Sequence, residues 1–210
     1  MAETSTGATA VLRLAAKGPF RARDLDELGV PRAYLRRLME RGLLERAARG
    51  LYTAVDAPVT ELHSLVEVVA RVPHATICLL SALQVHKMTT EVPHAVWVLI
   101  RTHAHAPALS SPSLKVIRAG GVALTHGVET RVVEGLSIRL TSPAKTVADC
   151  FRYRRHVGLE VALSGMREYL NPSRKRQVQD AKRFGVDALV AAARADRVYS
   201  VMRPYLEALA

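Results

Sequence analysis

The chain has 210 residues, of which 49% are hydrophobic and 5% aromatic, and its 30 Lys/Arg against 19 Asp/Glu give a formal charge of +11 and a pI near 10.3. This is enough apolar material for one ordinary core or two small ones, while Cys78 and Cys150, far apart and without companion ligands at zinc spacing, exclude a disulfide framework and read as small core residues. No basic segment followed by an apolar run opens the chain, and no apolar stretch approaches the roughly 18 residues of a membrane span, so a soluble, cytoplasmic protein is expected.

Apolar residues Ala8, Val11, Leu12 and Ala15 recur at three-to-four spacing between Thr6 and Lys17 and predict a first helix, which Gly18-Pro19 stops. Phe20, Leu25, Leu28 and Val30 form a second short stripe, closed by Gly29. Pro31 then suits a first helical position, where its missing N–H is no loss, and Pro31 to Arg41 carries a third helical period. On a wheel, Tyr34, Leu35, Leu38 and Met39 share one side, and Arg32, Ala33, Arg36, Arg37 and Glu40 the other. Past Gly42, residues Leu43 to Thr53 read as two short strands about an Arg49-Gly50 turn.

Three short helices followed by a hairpin predict a winged helix-turn-helix over residues 1–56, with the third helix entering a major groove and the wing approaching the adjacent backbone. Arginine serves both contacts, because its planar fork matches guanine O6 and N7 as well as phosphate oxygens. Arg32, Ala33 and Arg36, in the N-terminal half of the recognition helix, are the candidates for base edges. Arg37, Arg41, Arg46 and Arg49 are candidates for phosphates, with Arg21 and Arg23 as weaker ones near the second helix.

Residues 57–210 read as an α/β domain ending in a helical bundle, which makes the whole chain a mixed α+β protein. Helices are predicted at Glu61 to Val72 and Ala75 to Met88, and a buried strand at Ala95 to Ile100. Further strands are predicted at Leu114 to Arg118, Val122 to Thr125, Thr130 to Val133 and Ser137 to Leu140, the last two hinged at Glu134-Gly135. Ser142-Pro143 opens another helix; Thr141, Ser142 and Lys145 there read as a cap, with an anion site as the alternative. Helices are then expected at Leu159 to Leu170, Pro172 to Arg183, Val186 to Ala193 and Arg197 to Leu209.

The charge is uneven: ten Lys/Arg against seven Asp/Glu in residues 1–56, eight against six in 57–150, and twelve against six in 151–210. Arg152, Arg154 and Arg155, with Arg174, Lys175 and Arg176, are either solvated helix faces or secondary contacts to phosphate or to a protein partner.

The run RDLDELGVPRAYLRRLMERGLLERAARGLYT, with its Gly-Val turn and closing Arg-Gly-x-Tyr, resembles the N-terminal domain of AbiEi-family antitoxins. VEGLSIRLTSPAKTVADCFRY resembles a later strand-to-helix segment of that family, with LSALQVHKMTTEVPHAVWVLI between the two. The resemblance implies an antitoxin of a type IV toxin-antitoxin system. Such a protein binds inverted repeats in double-stranded promoter DNA, singly or as a cooperative or dimeric pair, and represses its own operon. The resemblance further implies that it counteracts a cognate nucleotidyltransferase-like toxin.

No Gly-x-Ser-x-Gly elbow, phosphate-binding Gly loop or His-Glu-x-x-His pair occurs, and His103 and His105 lack a third ligand nearby, so neither enzyme activity, cofactor nor metal is expected. Two alternatives stand beside the regulator. One is a protein-interaction module that neutralises a toxin by direct contact without specific DNA binding. The other is a divalent-metal nuclease, disfavoured because Glu160, Glu168, Asp180 and Asp187 lack an Asp followed by Glu-x-Lys.

Overall fold

Helix α1 (Ala2–Ala15) sets Val11 and Ala15 one turn apart on one face, and both are buried. A computed structural model describes residues 2–57, 60–106, 108–173 and 184–209. The predicted helix over 172–183 falls largely outside them, as do Arg174, Lys175 and Arg176. The chain divides into two compact units, Met1–Pro73 with Arg131–Ile138, and His74–Thr130 with Arg139–Ala210. The first unit thus takes in the segment after Asp56 and the turn of a later hairpin, both of which the sequence reading assigns to the second domain.

In the first unit, strand β1 (Phe20–Arg21) leads into the short helix α2 (Asp24–Glu27), and the Arg21 amide donates to Asp24 Oδ2 at 2.6 Å. Gly29, at φ 63°, turns the chain into α3 (Ala33–Glu40). Pro31 does not occupy the first helical position that the sequence suggests. It heads the preceding turn, its carbonyl accepting from Tyr34 N at 3.1 Å. Strands β2 (Leu44–Ala48) and β3 (Leu51–Ala54) form the hairpin, and β1 pairs on the far side of β3, giving an antiparallel sheet of order β1-β3-β2. Val11, Ala15, Phe20, Leu25, Val30, Leu35, Leu38 and Leu44 make the core between helices and sheet. Each fully buried large aliphatic residue contributes about 1.5–3 kcal/mol. Helix α4 (His63–Arg71) follows the hairpin and buries Leu65, Val66, Val68, Val69 and Ala70.

A second sheet holds strands β4 (Thr76–Ile77), β5 (Val96–Arg101), β6 (Leu114–Ala119), β7 (Val128–Val133) and β8 (Leu136–Thr141), in the order β6-β5-β4-β8-β7, and all of it but Arg131–Ile138 belongs to the second unit. β4 runs antiparallel to β5 and parallel to β8, and β5 runs parallel to β6. Two sequence expectations change. The helix predicted over Ala75 to Met88 begins with β4 and becomes helical only as α5 (Leu79–Val85). The strand predicted at Val122 to Thr125 is the short helix α6 (Val122–Thr125), because Gly121 at φ 58° reverses the chain before a sheet position is reached.

Helix α7 (Pro143–Arg152) buries every residue from Pro143 to Phe151, and Ser142 Oγ caps it by accepting from Lys145 N at 3.3 Å, with Pro143 in the first turn. Helices α8 (Arg154–Val157), α9 (Leu159–Leu170), α10 (Val186–Ala195) and α11 (Tyr199–Leu209) close the unit. Its core joins Leu79, Leu83, Trp97, Leu99, Val147 and Phe151 to Met166, Leu189 and Met202. Among the described residues, no helix is long and apolar enough to cross a membrane.

Candidate nucleic-acid interface

Helix α3 is anchored by Leu35 and Leu38, exposed by 4% and 1%, and this alignment turns Arg32, Ala33, Arg36, Arg37 and Glu40 outward. Tyr34 is half-buried against α1, where Gly7 makes room for it: a Cβ on Gly7 would lie 2.9 Å from the Tyr34 ring. Over that ring sits the Arg37 guanidinium, 5.7 Å from its centroid. Ala8, Tyr34, Arg37, Leu38, Glu40 and Arg41 line a shallow groove of about 300 Å³ between the two helices.

Carboxylates interleave with the arginines of this face. Arg32, at the N-terminal end of α3, reaches back to α2 and donates to Asp26 through Nε at 3.2 Å and Nη2 at 2.5 Å. The hydrogen bond from Arg32 holds the Asp26 carboxyl below the usual carboxylate range, and the same bond raises the Arg32 guanidinium. Arg36 Nε donates to Glu40 Oε1 at 2.8 Å, one turn along α3. Both pairs lie in solvent, where ion pairs add little to stability.

The remaining candidates of the first unit frame α3. Arg41 is exposed at its C-terminal end, Arg46 is exposed on β2, and Arg49 is exposed beside Gly50, whose φ of 72° makes the hairpin turn. Arg23 is exposed with its Nε 3.9 Å from Asp24 Oδ1, and Arg21 is half-buried in β1. All nine residues singled out for DNA therefore belong to one compact unit.

The described secondary candidates, Arg152, Arg154 and Arg155, belong to the other unit, and two of them hold backbone. Arg152 Nη1 donates to the Asp196 carbonyl at 2.8 Å, its guanidinium 5.5 Å from the Tyr153 ring centroid. Arg154 Nη1 donates to the Phe151 carbonyl at 2.8 Å. Arg155 is exposed on α8. His103 and His105 are exposed after β5, and among the described residues no three metal-ligating side chains come together.

Lys145, for which an anion site was the alternative to capping, has no exposed surface. Its Nζ lies 2.5 Å from Asp149 Oδ1 and 2.7 and 2.8 Å from the two oxygens of Asp196. The anion reading is therefore corrected: the ammonium is already surrounded by buried carboxylates. Burial would lower the Lys145 ammonium, but the two carboxylates outweigh it and raise it. Burial pushes the Asp149 carboxyl up to about 8, with Lys145 drawing it down and Asp196 adding to the rise. The buried thiols of Cys78 and Cys150 are likewise pushed up by burial, which makes them poor nucleophiles.

A second network, within the first unit, was also not evident in the sequence. Glu134 Oε1 accepts from Thr60 N at 2.8 Å and Thr60 Oγ1 at 2.7 Å, and Oε2 lies 2.8 Å from His63 Nδ1. Burial acts to raise the Glu134 carboxyl, but hydrogen bonds from Thr60 and His63 outweigh it and hold it low.

Residues 10–55, from within α1 to the end of the hairpin, match the sequence model of a family described as transcriptional regulator, AbiEi antitoxin. The resemblance read from the sequence is thereby borne out over this segment, which carries the outward arginines of α3. No curated protein matches the chain.

Proposed function

Proceeding from that match, we propose that this protein is a DNA-binding transcriptional regulator and the antitoxin of a toxin-antitoxin pair. It binds an inverted repeat in its own promoter, represses its own operon, and counteracts a nucleotidyltransferase-like toxin encoded beside it in the cytoplasm. The observation that carries the reading is the outward face of α3, where Arg32, Ala33, Arg36 and Arg37 stand exposed over a core of Leu35 and Leu38 within the family-matched segment.

In this reading α3 lies in the major groove with its N-terminal half deepest, so Arg32, Ala33 and Arg36 meet base edges, the two arginines through guanidinium N–H donors to guanine. Arg37 and Arg41, with Arg46 and Arg49 on the hairpin, meet phosphates, and Arg21 and Arg23 flank them. Arg155 offers a further basic contact from the second unit, to phosphate or toxin. Two copies on an inverted repeat sit about 34 Å apart when they occupy successive major grooves. The protein has no catalytic role in this scheme.

The test is a mobility shift on a duplex from immediately upstream of the coding sequence, against a scrambled duplex of equal length. Specific binding is expected, with affinity falling by about 0.9 log units per log unit of salt for each phosphate contacted. Arg32→Ala with Arg36→Ala should abolish the preference for the upstream duplex. An unchanged preference removes α3 as the reading element. Equal binding to both duplexes, together with co-purification of the neighbouring gene product, supports the interaction-module reading instead.

A further inference from the structure

Arg32 and Asp26 form a forked ion pair across the turn between α2 and α3, and its geometry leaves one edge of the guanidinium available. The carboxylate takes the Nε side: Nε donates to Oδ1 at 3.2 Å and Nη2 to Oδ2 at 2.5 Å. A guanidinium carries five N–H donors in one plane. With two of them committed, three remain, on Nη1 and on the far side of Nη2. An N–H on each nitrogen points the same way along the end of the fork, with the spacing that meets guanine O6 and N7 together. The side chain is 60% exposed, and the edge that the carboxylate holds is the one adjacent to this end of the fork.

From this arrangement we infer that Asp26 is a positioning residue for DNA recognition: it holds Arg32 side-on so that the end of the guanidinium is presented, already oriented, to a guanine in the major groove. The inference rests on the reading of α3 given under Proposed function. An arginine side chain carries one of the largest rotamer entropies of any residue, and fixing it before binding removes that loss from the binding step. The carboxylate also has an opposite effect. As an anion near the phosphate backbone, it lowers affinity for any duplex, whatever its sequence. Positioning and repulsion therefore predict different outcomes when Asp26 is removed.

Two local features support a fixed pair. Gly29 at φ 63° fixes the turn that brings α2 within reach of Arg32, and Val30 N donates to the Leu25 carbonyl at 3.0 Å to close it. The hydrogen bond from Arg32 keeps the Asp26 carboxyl low, so it stays charged through neutral pH. Arg36 differs: its Glu40 partner lies on the same helix, one turn on, and holds it through Nε alone.

The experiment measures the full-length protein's affinity for the upstream duplex and the scrambled duplex, and takes their ratio. The variants are Asp26→Ala, Asp26→Glu, Arg32→Ala and the double Asp26→Ala/Arg32→Ala, with a thermal melt of each to show that the fold is retained. Positioning predicts that Asp26→Ala binds the scrambled duplex more tightly yet lowers the ratio by roughly five- to tenfold, about the value of one good bidentate contact. It predicts that Asp26→Glu recovers part of the ratio, and that Asp26→Ala has no further effect on the ratio once Arg32 is absent. If Asp26→Ala tightens binding to both duplexes equally, Asp26 only repels phosphate and the inference is overturned. If Arg32→Ala leaves the ratio unchanged, it is the reading of α3 that fails.

Discussion

Replacing Lys145 with Met removes the one cation from a site where all three charged side chains are buried, the ammonium lying between 2.5 and 2.8 Å from three carboxylate oxygens. Met fills a similar volume, so little of the effect comes from a cavity. Two buried carboxylates are left without a counter-charge. Breaking a buried pair in this way costs about 3–5 kcal/mol, out of a total of about 5–15 kcal/mol for a domain. Protonation relieves part of the loss. The Asp149 carboxyl is already raised to about 8 with Lys145 in place, and without the cation it moves further up. Up to about pH 8 folded wild type and folded variant both hold an Asp149 proton that the unfolded chain has lost, and above it only the variant does. The deficit relative to wild type therefore widens above about pH 8, by up to about 1.4 kcal/mol per pH unit for that proton. Urea denaturation followed by Trp97, the sole tryptophan and 8% exposed in the second unit, reports the change. The midpoint should lie below that of wild type at about pH 6 and further below it at about pH 9.5. An unchanged midpoint at the higher pH, or an equal loss at both, refutes the reasoning.

Asp149→Asn probes the same site from its other side. The wild-type carboxyl is raised to about 8, so the folded state keeps a proton that the unfolded chain has lost; stability from this group is full below the usual carboxylate pKa and declines as pH rises to about 8. Asn carries no such proton, and its urea midpoint should depend less on pH than that of wild type between about pH 5 and about pH 8; parallel pH profiles would contradict this. Gly135→Ala should destabilise the first unit sharply, because the new Cβ would lie 2.5 Å from the Lys17 carbonyl oxygen on a backbone at φ 77°, so the backbone has to shift. Gly29→Ala, at φ 63° with no atom within 4 Å, is the control and should lose only about 1 kcal/mol. Limited proteolysis of the two variants should separate them, and equal protection would count against the close approach.

The first unit was legible because its signals are local. Val11 and Ala15 sit one turn apart, Gly29 and Gly42 adopt the positive φ that their places at helix ends suggested, and the Arg49-Gly50 turn joins the two strands expected. The second unit was read less well. Strand β4 has two residues, Thr76 and Ile77, buried on both faces, so no alternation marks it and the apolar run behind it reads as helix throughout. Val122 to Thr125 has the composition of a strand, but the conformation of Gly121 decides otherwise. The Lys145 site was invisible because Asp196 is 51 residues away. Of the ion pairs on the α3 face, Arg36–Glu40 follows from helical spacing, whereas Arg32–Asp26 spans six residues across a turn that no periodicity describes.

The turn at Glu134-Gly135 belongs to the same compact unit as residues 1–73, although some sixty residues of the second unit separate them along the chain. A nascent chain emerging from the ribosome can assemble α1 to α4 early. It cannot supply the carboxylate that Thr60 and His63 share, nor the glycine that lies against Gly18, until residues 134 and 135 have been synthesised. A fragment cut after the family-matched segment would lack these same groups permanently. The first unit is thus completed only after much of the second has been synthesised, which ties the two together in time.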